Sequence, residues 1–289
     1  MRMKIYLNGN YVSKEDAKIS VFDHGFLYGD GAFEGIRSYR RLVFRLKAHV
    51  DRLYETMHTL MIDIPLTKDQ MIQAVVDTLN QNNLDDAYIR VIVTRGVGDL
   101  GLDPKKCHRT PGVVIITDKI TLYPDELYRN GMAIITVSTV RNHPEALNPQ
   151  LKSLNYLNNI LAKIEASNAG FNEAIMMDTQ GYVAECTGDN IFIMKNGVLV
   201  TPLTGRLRGI TRDVVLELAE KDGVKTFEGF LTRHEIYNAD ECFLTGTAAE
   251  IIPVVKVDGR LIADGKPGCF TQKFIQQFKE VTTRDGVKY

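Results

Sequence analysis

Lys152, in Asn148-Pro149-Gln150-Leu151-Lys152-Ser153-Leu154-Asn155-Tyr156, is the residue whose surroundings suit covalent chemistry. It lies between an irregular, proline-containing segment and a helix start, with no other basic residue in the stretch. A lysine amine that forms an imine with a carbonyl must be partly desolvated, so that it is available near neutral pH. The apolar helix expected over 156–164 allows this. Taken alone, a lysine ahead of a helix is more often a solvated side chain.

Three further stretches carry chemistry. Glu185 interrupts the apolar strand of Gly181-Tyr182-Val183-Ala184-Glu185-Cys186. A carboxylate there could keep a pyridine nitrogen protonated and so strengthen the ring as an electron sink; the alternative is a strand-edge glutamate facing water. Gly205-Arg206-Leu207-Arg208-Gly209-Ile210-Thr211 runs as a glycine-containing loop into a helix. Backbone N–H groups and the dipole at such an end bind phosphate, and Thr211 also reads as an N-cap. In Thr245-Gly246-Thr247-Ala248-Ala249-Glu250 small residues follow a strand, so a ligand could approach the backbone and meet the Thr247 hydroxyl. Loop punctuation is the plainer reading. Gly96-Val97-Gly98-Asp99-Leu100-Gly101 matches a dinucleotide-binding pattern, yet Leu102-Asp103-Pro104 follows where that motif needs a helix.

The elements that must position these groups fall into two sets. Residues 1–118 read as a small α/β domain. It has a strand at 4–7, a short one at 11–12, a hairpin over 32–44 and strands over 88–94 and 113–117. Leu46, Val50, Leu53, Met57 and Leu60 recur at helical spacing, predicting a helix over 46–61. Thr67 with Gln70 predicts a capped second helix. Periodicity fails over 119–130, which suits an interdomain connection. Residues 131–289 resume with a strand at 132–139, a helix at 155–169 and strands at 173–178 and 182–186. Asn196-Gly197 and Asp258-Gly259 signal hairpins. Helices are expected from Thr211, from Thr232 with Glu235 completing a capping box, and over 269–282. This half reads as a barrel-like sheet with helices around it.

Composition narrows the function. A formal net charge of −1 with mixed signs leaves no basic patch for nucleic acid. No apolar run reaches the length of a membrane span, and the N-terminus lacks a signal-peptide core. Cys107, Cys186, Cys242 and Cys269 form no CxxC pair, so reduced thiols in a cytoplasmic protein are expected rather than a zinc or disulfide framework, and no metal.

Together and in this order, these stretches resemble the fold type IV pyridoxal-phosphate enzymes, and within them the branched-chain amino acid aminotransferases. The similarity runs from Tyr6 to about Phe270. Its most specific pieces are Tyr28-Gly29-Asp30-Gly31-Ala32-Phe33-Glu34-Gly35-Ile36-Arg37, the Lys152 and Glu185 segments, Gly209–Asp213 and Gly246–Glu250. The resemblance implies a two-domain α/β (mixed α+β) fold with pyridoxal 5'-phosphate held between the small domain and the larger one.

By the same resemblance, Lys152 is the Schiff-base lysine and the carrier of the proton. Tyr156 meets the cofactor's ring hydroxyl and Glu185 its pyridine nitrogen. Arg52, the Ile210 and Thr211 amides and Thr247 hold the phosphate, with Leu207, Gly209 and Gly246 completing the cofactor contacts. Tyr28, Phe33, Gly35, Arg37, Tyr88, Tyr123 and Ala248 match or neighbour the substrate pocket. Arg90 matches the residue that receives glutamate's side-chain carboxylate, and the Thr247 and Ala248 amides meet the α-carboxylate. The reaction implied is reversible amino transfer from L-leucine, L-isoleucine or L-valine to 2-oxoglutarate. A homodimer is the minimum unit, with the Tyr28 region and the Gly96–Gly101 loop serving the partner's pocket.

Relatives leave alternatives. D-amino acid aminotransferases share the Lys152 and Glu185 features, but carry an Arg-x-His carboxylate trap where this chain has Gly98-Asp99-Leu100-Gly101, without a base. An (R)-amine transaminase of the same fold is a related possibility. Aminodeoxychorismate lyases usually lack the Phe33–Arg37 run. A non-catalytic binding protein on this scaffold would need a lost lysine or glutamate, and both are present.

Overall fold

The computed structural model describes residues 3–120 and 123–289. Met1 and Arg2 of the expected N-terminus, and Thr121 and Leu122 of the expected connection, lie outside the described residues. Contacts group the chain into two units. The first holds Met1–Ile120, Leu151–Asn155 and Thr282–Tyr289, and the second Thr121–Gln150 and Tyr156–Val281.

In the first unit, β1 (Lys4–Leu7) and β2 (Asn10–Ser13) form a hairpin, followed by α1 (His24–Tyr28), β3 (Gly31–Tyr39) and β4 (Leu42–Phe44). Helices α2 (Leu46–Thr59) and α3 (Lys68–Asn82) precede β5 (Ala87–Thr94) and β6 (Gly112–Asp118). The C-terminal strand Gly286–Lys288 pairs with β4, completing a seven-stranded antiparallel sheet that continues through β3, β5, β6, β1 and β2. Period-two alternation decides what each strand offers. On β5, Ala87, Ile89, Val91 and Val93 turn into the core, leaving Tyr88 and Arg90 on the other face. The core face receives Leu46, Val50, Leu53 and Met57 of α2, the apolar stripe legible in the sequence. Truncating the fully buried Leu53 to Ala should cost about 2–5 kcal/mol. The Thr67–Gln70 capping box of α3 is present, with Gln70 Oε1 accepting the Thr67 N–H at 2.8 Å. Helix α1, with Asp23 Oδ1 accepting the Gly25 N–H at 2.8 Å, has no counterpart in the sequence reading.

The second unit starts with α4 (Asp125–Asn130), which packs on its sheet, so part of the expected connection is helical. Next come β7 (Met132–Thr136), α5 (Leu157–Asn168), β8 (Ala174–Met177), β9 (Val183–Cys186), β10 (Asn190–Lys195) and β11 (Val198–Pro202). They are followed by α6 (Ile210–Lys221), β12 (Lys225–Gly229), α7 (Arg233–Tyr237), β13 (Glu241–Gly246), β14 (Glu250–Val257), β15 (Arg260–Leu261) and α8 (Cys269–Val281). Nine strands form one mixed sheet, ordered β12-β11-β10-β13-β14-β7-β8-β9 with β15 against β14. Strand β9 comes back to lie against β10 and β11, which gives the sheet its barrel-like curl. Asn196 and Gly197 turn β10 into β11 with φ of 49° and 75°, the paired positive values of a type I′ hairpin turn. Helix α6 begins one residue earlier than expected, so Gly209, not Thr211, is its N-cap.

Candidate active site

Lys152 belongs to the first unit through its main chain. Phe33 N–H donates to the Lys152 carbonyl at 2.9 Å, Leu154 N–H to the Gly31 carbonyl at 2.9 Å, and Ala32 bridges Ser153. The segment therefore lies along β3, joined to it by an isolated β-bridge. Gly31 leaves room on both sides: a Cβ would stand 2.3 Å from the Val93 carbonyl oxygen of β5 and 2.9 Å from Leu154 Cδ1 of this segment. The Lys152 Nζ rests 4.6 Å from the centroid of the Phe33 ring.

The same ring carries a second cation. Arg90, on β5, places its guanidinium carbon 4.4 Å from the Phe33 centroid, and its Nη2 donates to the Tyr88 hydroxyl at 3.0 Å. Gly35 stands directly opposite Arg90 in the strand register, and its missing side chain leaves room for Tyr88, whose hydroxyl would lie 2.2 Å from an added Cβ. Phe33, Gly35, Tyr88, Arg90 and Lys152 are thus brought together on one face of this unit. Arg37 instead stacks on Tyr39, 5.0 Å from its centroid. The Tyr28 hydroxyl accepts the Gly101 N–H at 2.9 Å, tying α1 to the Gly96–Gly101 loop. That loop is followed by a single 3-10 turn at Pro104–Lys106, not by the helix that a dinucleotide motif requires.

Arg52 lies on the other side of β3, buried, and meets Glu34 through two prongs: Nε to Oε1 at 2.7 Å and Nη2 to Oε2 at 2.8 Å. His49 Nδ1 sits 2.8 Å from the same Oε2. Burial pushes the Glu34 carboxyl up, but the charges and hydrogen bonds of Arg52 and His49 outweigh it and hold the group well below the usual carboxylate range. Burial pushes the His49 imidazole down; Glu34 only partly offsets this, and the charges of Arg52 and Lys152 add to the depression. An ionised carboxylate only accepts hydrogen bonds, so the His49 Nδ1 carries the proton of this contact.

In the second unit Glu185 is 5% exposed, so it is a buried group and not a strand-edge residue in water. Arg141 Nε donates to its Oε1 at 2.8 Å, while its Oε2 accepts the Leu207 N–H at 2.9 Å and Asn190 Nδ2 at 3.3 Å. Arg141 is steadied in turn by Asn158 Oδ1 at 3.1 Å. Asn190 also donates to the Leu207 carbonyl, and Gly209 lies so close that a Cβ would fall 2.0 Å from Asn190 Oδ1. Glu185, Leu207 and Gly209 are therefore joined through Asn190. Across the ladder Asn190 pairs with Thr245, which puts both side chains on one face. Beside it Gly246 makes room for Asp189, whose Oδ1 would be 2.0 Å from an added Cβ. Thr247 and Ala248 follow in the turn into β14, both half-buried, and Tyr156 is the half-buried residue just ahead of α5. Tyr123 is placed in the core, its hydroxyl 3.5 Å from Glu173 Oε2, and burial pushes its pKa up.

Two features fit a polar, anionic ligand. Helix α6 has no side-chain cap at Gly209, so its first amides, at Ile210 and Thr211, are not satisfied by a capping side chain. The Thr245 hydroxyl is buried with no hydrogen-bond partner among the described residues, on the face that carries Asn190. Glu34, His49, Arg141, Asn190 and Thr245 all escaped the sequence reading as site residues. For Glu34 a signal existed: it is a charge two residues from Ala32 and from Ile36, on the inward face of a strand.

The first unit thus carries a lysine on an apolar ring, and the second a clamped buried carboxylate and a helix start without a side-chain cap. The profile of the family described as amino-transferase class IV matches residues 31–257, and the chain belongs to that family. It is 56% identical over 288 residues, 99% of both chains, to a Methanocaldococcus jannaschii protein that carries a provisional branched-chain-amino-acid aminotransferase name. It is 40% identical to the branched-chain-amino-acid aminotransferase of Pseudomonas aeruginosa, covering 96% of this chain and 92% of that one. Among solved structures, the Escherichia coli branched-chain amino acid aminotransferase superposes with a TM-score of 0.95 at 34% identity, over 99% of this chain and 97% of that chain. The enzyme of the same name from Thermobaculum terrenum, solved in its PLP form, gives 0.88 at 32% identity, over 98% and 95%.

Proposed function

We propose that this chain is a pyridoxal-phosphate-dependent branched-chain amino acid aminotransferase, moving the amino group of L-leucine, L-isoleucine or L-valine reversibly to 2-oxoglutarate in a ping-pong cycle. The observation that carries it is the Phe33 ring with Lys152 Nζ at 4.6 Å and Arg90 at 4.4 Å. One apolar wall then serves a branched side chain, while the guanidinium beside it serves glutamate's second carboxylate.

Bound pyridoxal phosphate supplies an electron sink for the charge left at the substrate's Cα. Lys152 takes the proton from that carbon and later returns one, and the strand bonds to β3 fix where its amine can reach. Glu185 is oriented by Arg141, the Leu207 N–H and Asn190, and would hold the cofactor's ring nitrogen in its protonated form. Tyr156 would hold the ring hydroxyl, Leu207, Gly209 and Gly246 would flank the ring, and Arg52, Thr247 and the Ile210 and Thr211 amides would hold the phosphate. The substrate's α-carboxylate meets the Thr247 and Ala248 amides, with Tyr28, Arg37 and Tyr123 bordering the pocket. The segment Gly98-Asp99-Leu100-Gly101 itself carries no base where D-amino acid aminotransferases carry their carboxylate trap, which supports the L-amino acid reading.

The reading includes a homodimer working in the cytoplasm. Val21, Phe26 and Leu102 are 67%, 65% and 81% exposed in the first unit. Their segments adjoin, since Gly98 N–H donates to the Phe22 carbonyl at 3.2 Å. Such a patch suits a second copy. Cys107, Cys186, Cys242 and Cys269 are free thiols in the structure. No helix among the described residues is long and apolar enough to cross a membrane.

The test is a transfer assay with L-leucine and 2-oxoglutarate. The wild-type chain should form glutamate and the branched 2-oxo acid in equal amounts, while Lys152→Ala forms none yet keeps its circular dichroism. Undiminished turnover by that variant would remove Lys152 from its role.

A further inference from the structure

Adjacent residues of one strand hold two parts of the proposed cofactor site. The Phe33 N–H fixes the Lys152 main chain at 2.9 Å, and the next residue, Glu34, grips Arg52 on the opposite side of β3. The grip uses Nε and Nη2, the side edge of the guanidinium, which settles the plane of the group and turns its end, with Nη1, away from the carboxylate. His49, one helical turn before Arg52 on α2, donates to the same carboxylate and stops it rotating. Glu34 is 1% exposed, so no water competes for the arrangement. We propose that Glu34 is a positioning residue for phosphate recognition: it sets the orientation of Arg52 relative to Lys152, so that the end of the guanidinium meets the cofactor's phosphate while the lysine meets its aldehyde. The depressed Glu34 carboxyl supports this, because the clamp works only while ionised.

This inference rests on the assignment of Arg52 to the phosphate, and the test separates the two. Full-length wild-type chain, Glu34→Gln, Glu34→Asp and Arg52→Met are each titrated with pyridoxal phosphate and with pyridoxal, which lacks the phosphate. Glu34→Gln should weaken pyridoxal phosphate by about tenfold or more, equivalent to about 1.4 kcal/mol, and pyridoxal by less than about twofold. Glu34→Asp keeps the buried charge but is one methylene too short to span both prongs. It therefore serves if the glutamine variant does not fold, and its preference for pyridoxal phosphate over pyridoxal should fall by a smaller factor. Equal weakening of both ligands, or no change in their ratio, in the variants of Glu34 overturns the proposal. If Arg52→Met alone lowers the ratio, Arg52 keeps the phosphate and Glu34 loses its role; if Arg52→Met leaves the ratio unchanged, the assignment of Arg52 itself is wrong.

Discussion

Arg141 and Glu185 form a buried ion pair, Nε to Oε1 at 2.8 Å, with the two side chains 6% and 7% exposed. Taking either charge out of water alone is far costlier than taking both. Arg141→Met should therefore leave Glu185 unpaired and destabilise the protein by about 3–5 kcal/mol, read by urea unfolding. Glu185→Gln leaves the buried Arg141 without its counter-charge and should lose stability as well; assayed well below its own melting temperature it should also lose most of the transfer rate, because an amide cannot hold a proton on the ring nitrogen. A fully active glutamine variant would contradict the assigned role.

Gly35 tests the packing of the substrate wall. An added Cβ would meet the far end of the Tyr88 side chain at 2.2 Å, so the ring can swing aside and stability should change little. The swing breaks the 3.0 Å bond from Arg90 to the Tyr88 hydroxyl. Gly35→Ala should thus raise KM for both L-leucine and L-glutamate with thermal stability nearly intact. Unchanged kinetics would mean that the wall does not depend on Tyr88.

Arg90 should matter unequally to the two substrates. A charge-assisted hydrogen bond is worth about 1.5–3 kcal/mol, so Arg90→Ala should lower kcat/KM for glutamate by about ten- to a hundredfold. For leucine the losses are the contact with the Phe33 ring, worth about 0.5–1 kcal/mol, and the bond that holds the Tyr88 hydroxyl, so kcat/KM for leucine should fall by a smaller factor than for glutamate. Equal losses for both would exclude Arg90 from recognising glutamate.

Glu165 on α5 supports the segment after β7. It accepts from the Thr139 and Ser138 hydroxyls, the latter at 2.7 Å, and from the two backbone N–H groups at 2.8 and 2.9 Å. These bonds, Thr139's first, lower its pKa from 4.5 to about 2. Between those values the unfolded chain binds the proton and the folded one does not, so stability falls as pH drops through this window. Thermal melts of wild type and Glu165→Gln should differ above pH 4.5 and converge as pH falls toward 2. A difference independent of pH would contradict this.

Much of this architecture was legible in the chain. The spacing of Leu46, Val50, Leu53 and Met57 gave α2, the Thr67–Gln70 pair gave the start of α3, and Asn-Gly and Asp-Gly marked two hairpins, because each depends on neighbours in sequence. The return of Leu151–Asn155 to the first unit and the pairing of Gly286–Lys288 with β4 were not legible, since both depend on partners far away in the chain. The supports of the site escaped for the same reason. Glu34 finds Arg52 across 18 residues and Glu185 finds Arg141 across 44, and no local pattern couples them. Thr211 misled because a hydroxyl before a helix usually caps it; here Gly209 takes that place, which suits the close approach of Asn190.

The central claim is tested most directly by the visible absorption spectrum of the purified protein, taken before and after L-leucine and, in a separate sample, D-alanine. The account predicts a cofactor band that shifts with L-leucine and recovers when 2-oxoglutarate is added. A shift with D-alanine alone would keep the cofactor and the fold but contradict the branched-chain L-amino acid assignment, and the lack of any band after adding pyridoxal phosphate would contradict the function as a whole.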